Sequence, residues 1–117
     1  MQNIFQMSVT KLNEIFDNNL DDNYLIIDVR EELELEIGII ENAYNIPLSM
    51  FDISYVTNLD KYSSTINIIF YCAIGKRSQT IINLIHADDT FSENKLYNLV
   101  GGIHEWAKKG YYIEKDI

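Results

Sequence analysis

An α/β architecture, with a central, mostly parallel sheet flanked by helices on both faces, follows from two observations. Apolar runs such as "NYLIIDV" and "TINIIFYC" lack the in-out alternation of a one-sided sheet. Segments of helical periodicity separate them, and alternating strands and helices favour parallel crossover connections. In "SVTKLNEIFDNN", Ser8 is placed to cap a helix carrying Val9, Leu12, Ile15 and Phe16 on one face, ending near Asn18 or Asn19. The run Tyr24 to Val29, interrupted only by Asp28, is a strand covered on both sides. "REELELEIG" sets Leu33 and Ile37 a helical turn apart, with Gly38 as a stop. In "NAYNIPL" the single proline, Pro47, suits a strand end or loop. "SMFDISYVTNL" reads as a helix capped by Ser49, and "TINIIFYC" as the strongest strand of the chain. "SQTIINLIH" is amphipathic through Ile81, Ile82, Leu84 and Ile85, and "KLYNLV" is a further strand. "GGIHEWAKKG" leads from a loop into a short helix, and "YYIEKDI" is a tail.

The length of 117 residues suits one domain over residues 1–117 with a single core. Acidic residues number 18 against 9 basic, for a net charge of −9. That balance argues against a general nucleic-acid or anionic-membrane surface, so any anion site must be built locally. One cysteine excludes an intramolecular disulfide and a cysteine-based zinc cluster, and it fits a reducing compartment. The start, "MQNIFQMSVT", lacks the basic residues and long apolar core of a signal peptide, and no apolar run is long enough to suggest a membrane span. The expected location is cytoplasmic.

The lone cysteine, Cys72, lies in "FYCAIGKRSQT". Taken without its neighbours it is a small buried hydrophobe, the usual fate of a free cysteine. Its context points elsewhere. Ligands of open α/β sheets bind at the carboxyl ends of the strands, and Cys72 stands at such an end. Between it and a helix opening near Arg77 or Ser78 lie Ala73, Ile74, Gly75 and Lys76, a loop short enough to turn successive N–H groups toward one point. Gly75 permits a positive φ in that curl. Lys76 and Arg77 add charge to an anion cradle at a helix N-terminus. A thiol held there has its pKa pulled down and becomes a nucleophile.

At these residues the chain resembles the rhodanese-like sulfurtransferases of the small single-domain type. "LIIDVREELELEIGIIENAYNIPL" looks like the family's entry block, "YCAIGKRS" matches its active-site pattern Cys-x-x-Gly-x-Arg-Ser, and "LVGGIHEWAKKGY" matches its C-terminal block. The three stand in the family's order and span most of the chain. The resemblance implies a five-stranded parallel sheet with helices on both faces. It also implies a double displacement in which Cys72 takes the outer sulfur of a donor such as thiosulfate as a persulfide. An acceptor such as cyanide or a cellular thiol then takes the sulfur, with no metal or organic cofactor. By family position, the N–H groups of Ala73, Ile74, Gly75, Lys76, Arg77 and Ser78 hold the anion, Arg77 braces the loop, and Asp28 and Arg30 support it. The bland reading of Asp28 and Arg30 is an ordinary ion pair. The chain departs from the family in having Gly38-Ile39-Ile40 where a Gly-His-Ile run is common, and Asn42 where glycine is common. It also has Ala73 where many members carry a cation, which points to weaker thiosulfate binding and to a protein persulfide as donor.

His86 and His104 read as surface or core residues, since spacing pairs neither with the cysteine. Trp106 and the tyrosines read as packing, and Glu31, Glu32, Glu34 and Glu36 as a solvated face, with a docking surface for a basic partner as the minor alternative. Two rivals stand beside the sulfurtransferase. A cysteine phosphatase or arsenate reductase needs a wider loop, and the four residues between Cys72 and Arg77 are one fewer than such loops have. A non-catalytic or redox-sensing partner-binding module often lacks the cysteine, although an accessible low-pKa thiol also oxidises readily.

Overall fold

The computed structural model describes residues 3–115. Its elements are β1 (Ile4–Met7), α1 (Val9–Asp17), β2 (Tyr24–Asp28), β3 (Tyr44–Asn45), α2 (Ile53–Thr57), β4 (Asn67–Tyr71), α3 (Lys76–Ile85), β5 (Leu96–Leu99) and α4 (Gly102–Lys108). The strands form one sheet in the order β1-β5-β4-β2-β3, and every pairing is parallel. The central position of β4 explains its uninterrupted apolar sequence, because strands pair with both of its edges and helices cover both of its faces.

Period-two alternation sorts the core into two layers. Leu25, Ile27, Ile68 and Phe70 face one side with Ile81, Ile82 and Ile85 of α3, and Cys72 continues that row. Ile26, Ile69 and Tyr71 face the other side with Leu12 and Ile15 of α1 and Ile103 and Trp106 of α4. The three inner strands are therefore buried on both faces, as their composition requires.

Several local expectations shift. β1 was not legible as a strand because it is a four-residue edge whose Phe5 and Gln6 are exposed; its order comes from pairing with β5. Ser8 caps α1 by accepting from the Lys11 N–H. The Ser49 cap is replaced by Asp52, whose carboxylate accepts from the Ser54 N–H, and the segment Leu48–Met50 is a 3-10 turn. "REELELEIG" forms a 3-10 segment, Glu32–Ile37, that leaves Leu33 83% exposed, so no apolar helical face is buried there. Leu84 lies on the outer side of α3, leaving Ile81, Ile82 and Ile85 to anchor it. Asn42 adopts φ 69°, a left-handed conformation that asparagine tolerates better than most residues, which accommodates the absence of glycine. Among the described residues, no helix is long and apolar enough to cross a membrane.

Candidate active site

Cys72 follows the last residue of β4, and α3 opens only four residues later, at Lys76. The reversal between them depends on Gly75, which takes φ 95° at the helix N-cap. The Gly75 N–H then points at Cys72 Sγ from 3.1 Å and the Ser78 N–H from 3.5 Å, while the Ser78 hydroxyl oxygen lies 3.4 Å away.

The other side of the loop is held by α4. The Ile103 N–H donates to the Cys72 carbonyl at 3.0 Å, and the His104 N–H donates to the Ala73 carbonyl at 3.0 Å. In a trans peptide the N–H points opposite the carbonyl, so drawing the Ala73 carbonyl toward α4 turns the Ile74 N–H back toward the thiol. Such an approach requires Gly102. A Cβ there would sit on the Cys72 carbonyl oxygen and 2.6 Å from the Ala73 carbonyl oxygen. Burial pushes the Cys72 thiol pKa up. The Ser78 hydroxyl and the N–H groups of Ser78, Gly75 and Ile74 outweigh it and hold the thiol below its ordinary value.

The two cations of the loop behave differently. Lys76 is exposed, whereas Arg77 forms a two-point ion pair with Glu34 at 2.7 and 2.9 Å. That contact raises the Arg77 pKa and lowers that of Glu34. Glu34 thus leaves the solvated face to which its acidic neighbours pointed, and Glu31 likewise binds Ser49. Asp28 and Arg30 lie deeper, both fully buried. The Asp28 carboxylate accepts from Arg30 Nε and Nη2, and the guanidinium also donates to the Glu34 and Gly38 carbonyls at 3.1 and 2.8 Å. Arg30 therefore fixes the backbone that carries Glu34, and Glu34 in turn holds Arg77. Neither Asp28 nor Arg30 bonds to Cys72.

Of the residues singled out by sequence, Cys72 to Gly75 form the loop and Lys76, Arg77 and Ser78 the first turn of α3, with the N–H groups of Gly75 and Ser78 on Sγ, while Asp28 and Arg30 reach the loop through Glu34. Three participants were not read in these roles. Glu34 was hidden in an acidic run, and Gly102 gave only the signal of a double glycine after a strand. Asn98 had no distinguishing signal, yet its Oδ1 accepts from the Ser78 hydroxyl at 2.6 Å. The His104 side chain is exposed, and His86 ends α3 roughly 15 Å from the loop at the rise of an α-helix. Among the described residues, no group of three or more His, Cys, Asp or Glu side chains is arranged to hold a metal ion.

Comparison with known proteins agrees with this architecture. Residues 9–109 match the family model of the rhodanese-like domain. The chain is 33% identical over 89 residues to the adenylyltransferase and sulfurtransferase MOCS3 of Drosophila ananassae, covering 74% of this chain and 19% of that protein. To the protein of the same name from Drosophila grimshawi it is 35% identical over 92 residues, covering 76% of this chain and 20% of the relative. The chain thus spans about a fifth of the length of these relatives. The crystal structure of a rhodanese-related protein from Thermoplasma volcanium superposes with a TM-score of 0.72 at 24% identity, covering 96% of this chain and 99% of that one.

Proposed function

Because the chain belongs to the rhodanese-like domain family, we propose that it is a sulfurtransferase that carries sulfane sulfur on Cys72. The observation that carries this reading is the ring of donors around Sγ, which stabilises a thiolate and would equally stabilise the terminal sulfur of a persulfide. The sulfurtransferase named among its relatives supports the same class of reaction.

In the proposed cycle the Cys72 thiolate attacks the outer sulfur of a donor. With thiosulfate, the new Cys72 S–S bond forms as the donor's S–S bond breaks, and the electron pair leaves with sulfite. An acceptor thiolate or cyanide then attacks the outer sulfur of the persulfide, and the pair in that bond returns to Cys72. No net oxidant is consumed. Arg77 is already engaged by Glu34, Ala73 is uncharged, and the loop tip carries a half-exposed Ile74. These features weaken attraction for a small dianion and favour a persulfide-carrying protein or thiol as the working donor. They also disfavour phosphoryl transfer, which would need the guanidinium turned onto the substrate.

Mass spectrometry after incubation with thiosulfate or a persulfide donor tests the proposal. The expected result is a gain of one sulfur on Cys72, removed by dithiothreitol and absent from Cys72→Ser, with no hydrolysis of p-nitrophenyl phosphate. An unmodified Cys72 under saturating donors, or phosphate-ester hydrolysis that depends on Cys72, overturns it.

A further inference from the structure

We propose that Asn98 is a positioning residue for Cys72: it competes with the thiolate for the hydroxyl proton of Ser78 and so sets how readily the thiol ionises. The inference builds on the reading of Cys72 as the reactive group, but its geometry stands apart from sulfur chemistry. Ser78 is fully buried and has one hydroxyl proton with two neighbours able to take it. Asn98 Oδ1 lies 2.6 Å from Ser78 Oγ, and Cys72 Sγ lies 3.4 Å from it. The Asn98 amide is held with its oxygen toward Ser78 because its Nδ2 donates to Gln6 Oε1 at 3.1 Å. Gln6 Nε2 donates in turn to Gln79 Oε1 at 2.7 Å, and Gln79 Nε2 to Asn83 Oδ1 at 3.0 Å. Each amide in this row orients the next, from the exposed surface inward to a nearly buried Asn98.

With the Ser78 proton committed to Asn98, Oγ presents a lone pair to Sγ and accepts the S–H of the neutral thiol. When that proton leaves for solvent, the lone pair faces an anion. The hydroxyl must then rotate onto the sulfur and give up its short bond to Asn98, while Ser78 keeps its own proton throughout. Asn98 therefore favours the thiol, against the N–H groups of Gly75 and Ser78 that favour the thiolate.

The charged groups on the surrounding elements are Lys76 and Arg77 of α3, Glu34 on Arg77, the Asp28–Arg30 pair at the end of β2, and Glu105 and Lys108 with the titratable His104 on α4. Among the described residues none of these side chains hydrogen-bonds to Ser78 Oγ or to Asn98, so replacing Asn98 by an uncharged residue leaves that field in place.

The test follows the ultraviolet absorbance of the thiolate against pH, below the range where tyrosines ionise and with Cys72→Ser subtracted. It uses the wild type, Asn98→Leu, Ser78→Ala and the double variant. Asn98→Leu is expected to raise the ionisation constant of Cys72 roughly three- to tenfold, the margin between a charged and a neutral hydrogen bond; Ser78→Ala is expected to lower it, because the rotated hydroxyl's bond to the anion outweighs the weak S–H bond it accepts from the thiol. In the Ser78→Ala background, Asn98→Leu is expected to change nothing. Asn98→Ala, measured in parallel, must shift the titration in the same direction and supplies the reading where leucine does not fit. No shift, a shift of the opposite sign, or an equal shift with and without Ser78 overturns the inference. Since the readout is a titration, a protein that shows this cycle but forms no persulfide keeps the inference and loses the proposed function, and the converse result separates them the other way.

Discussion

Cys72 has no exposed surface, and an unassisted thiol in that position would stay protonated. Its pKa lies below the ordinary value only because the Ser78 hydroxyl and the N–H groups of Ser78, Gly75 and Ile74 together overcome burial. The direction has a measurable consequence for folding. An acid whose pKa is depressed in the folded state stabilises the fold above its unfolded pKa, and that contribution is lost as pH falls through the folded value. The stability difference between wild type and Cys72→Ser is therefore expected to grow as pH rises from the folded toward the unfolded thiol pKa and to be level on either side. Denaturant unfolding of the two proteins across that range checks it; a difference that stays constant or shrinks with rising pH contradicts the donor ring.

At the scale of elements, the cradle is a joint between β4, α3 and the N-terminus of α4. The first two peptide planes of the loop are held from outside it, by the N–H groups of Ile103 and His104 on the Cys72 and Ala73 carbonyls. Gly102, at φ 57° and with no room for a side chain, makes that contact possible. Gly102→Ala is expected to cost about 2–4 kcal/mol in stability through clash and backbone strain. It is also expected to raise the Cys72 pKa, as the loop retreats from α4 and its N–H groups turn away. A variant with unchanged melting temperature and thiol titration would show that α4 does not set the loop. Beside this joint, the Glu34–Arg77 pair is about one third exposed at both side chains and is worth at most about 1 kcal/mol, so it matters for where Arg77 points more than for stability.

Among the described residues, the ion pair taken out of water is Asp28–Arg30, both partners being 1% exposed at the side chain. It is tolerated because the guanidinium satisfies two carbonyls as well as the carboxylate, and the Asn45 amide donates to the Asp28 and Arg30 carbonyls. The pair sits where β2 ends and ties the 3-10 segment to the sheet. Arg30→Met is expected to lower stability by about 3–5 kcal/mol, since it leaves a buried carboxylate without its partner. Urea unfolding gives the value, and a loss below about 1 kcal/mol would show that water or another group replaces the arginine.

The sequence by itself determined the doubly covered parallel sheet, because unbroken apolar runs between amphipathic segments have no other way to bury both faces. It also determined that Cys72 lies where the strongest strand gives way to a short loop before a helix, since glycine, spacing and local periodicity are short-range information. Tertiary structure alone decided the rest. β1 is a strand only because β5 offers an edge, and Glu34 leaves the solvated acidic face only because α3 brings Arg77 to it. Asn98, 20 residues from Ser78 in the chain, meets its hydroxyl only because β4 and β5 are paired. Those contacts join segments distant in sequence, and no local periodicity records which partner the folded sheet will place opposite a polar side chain.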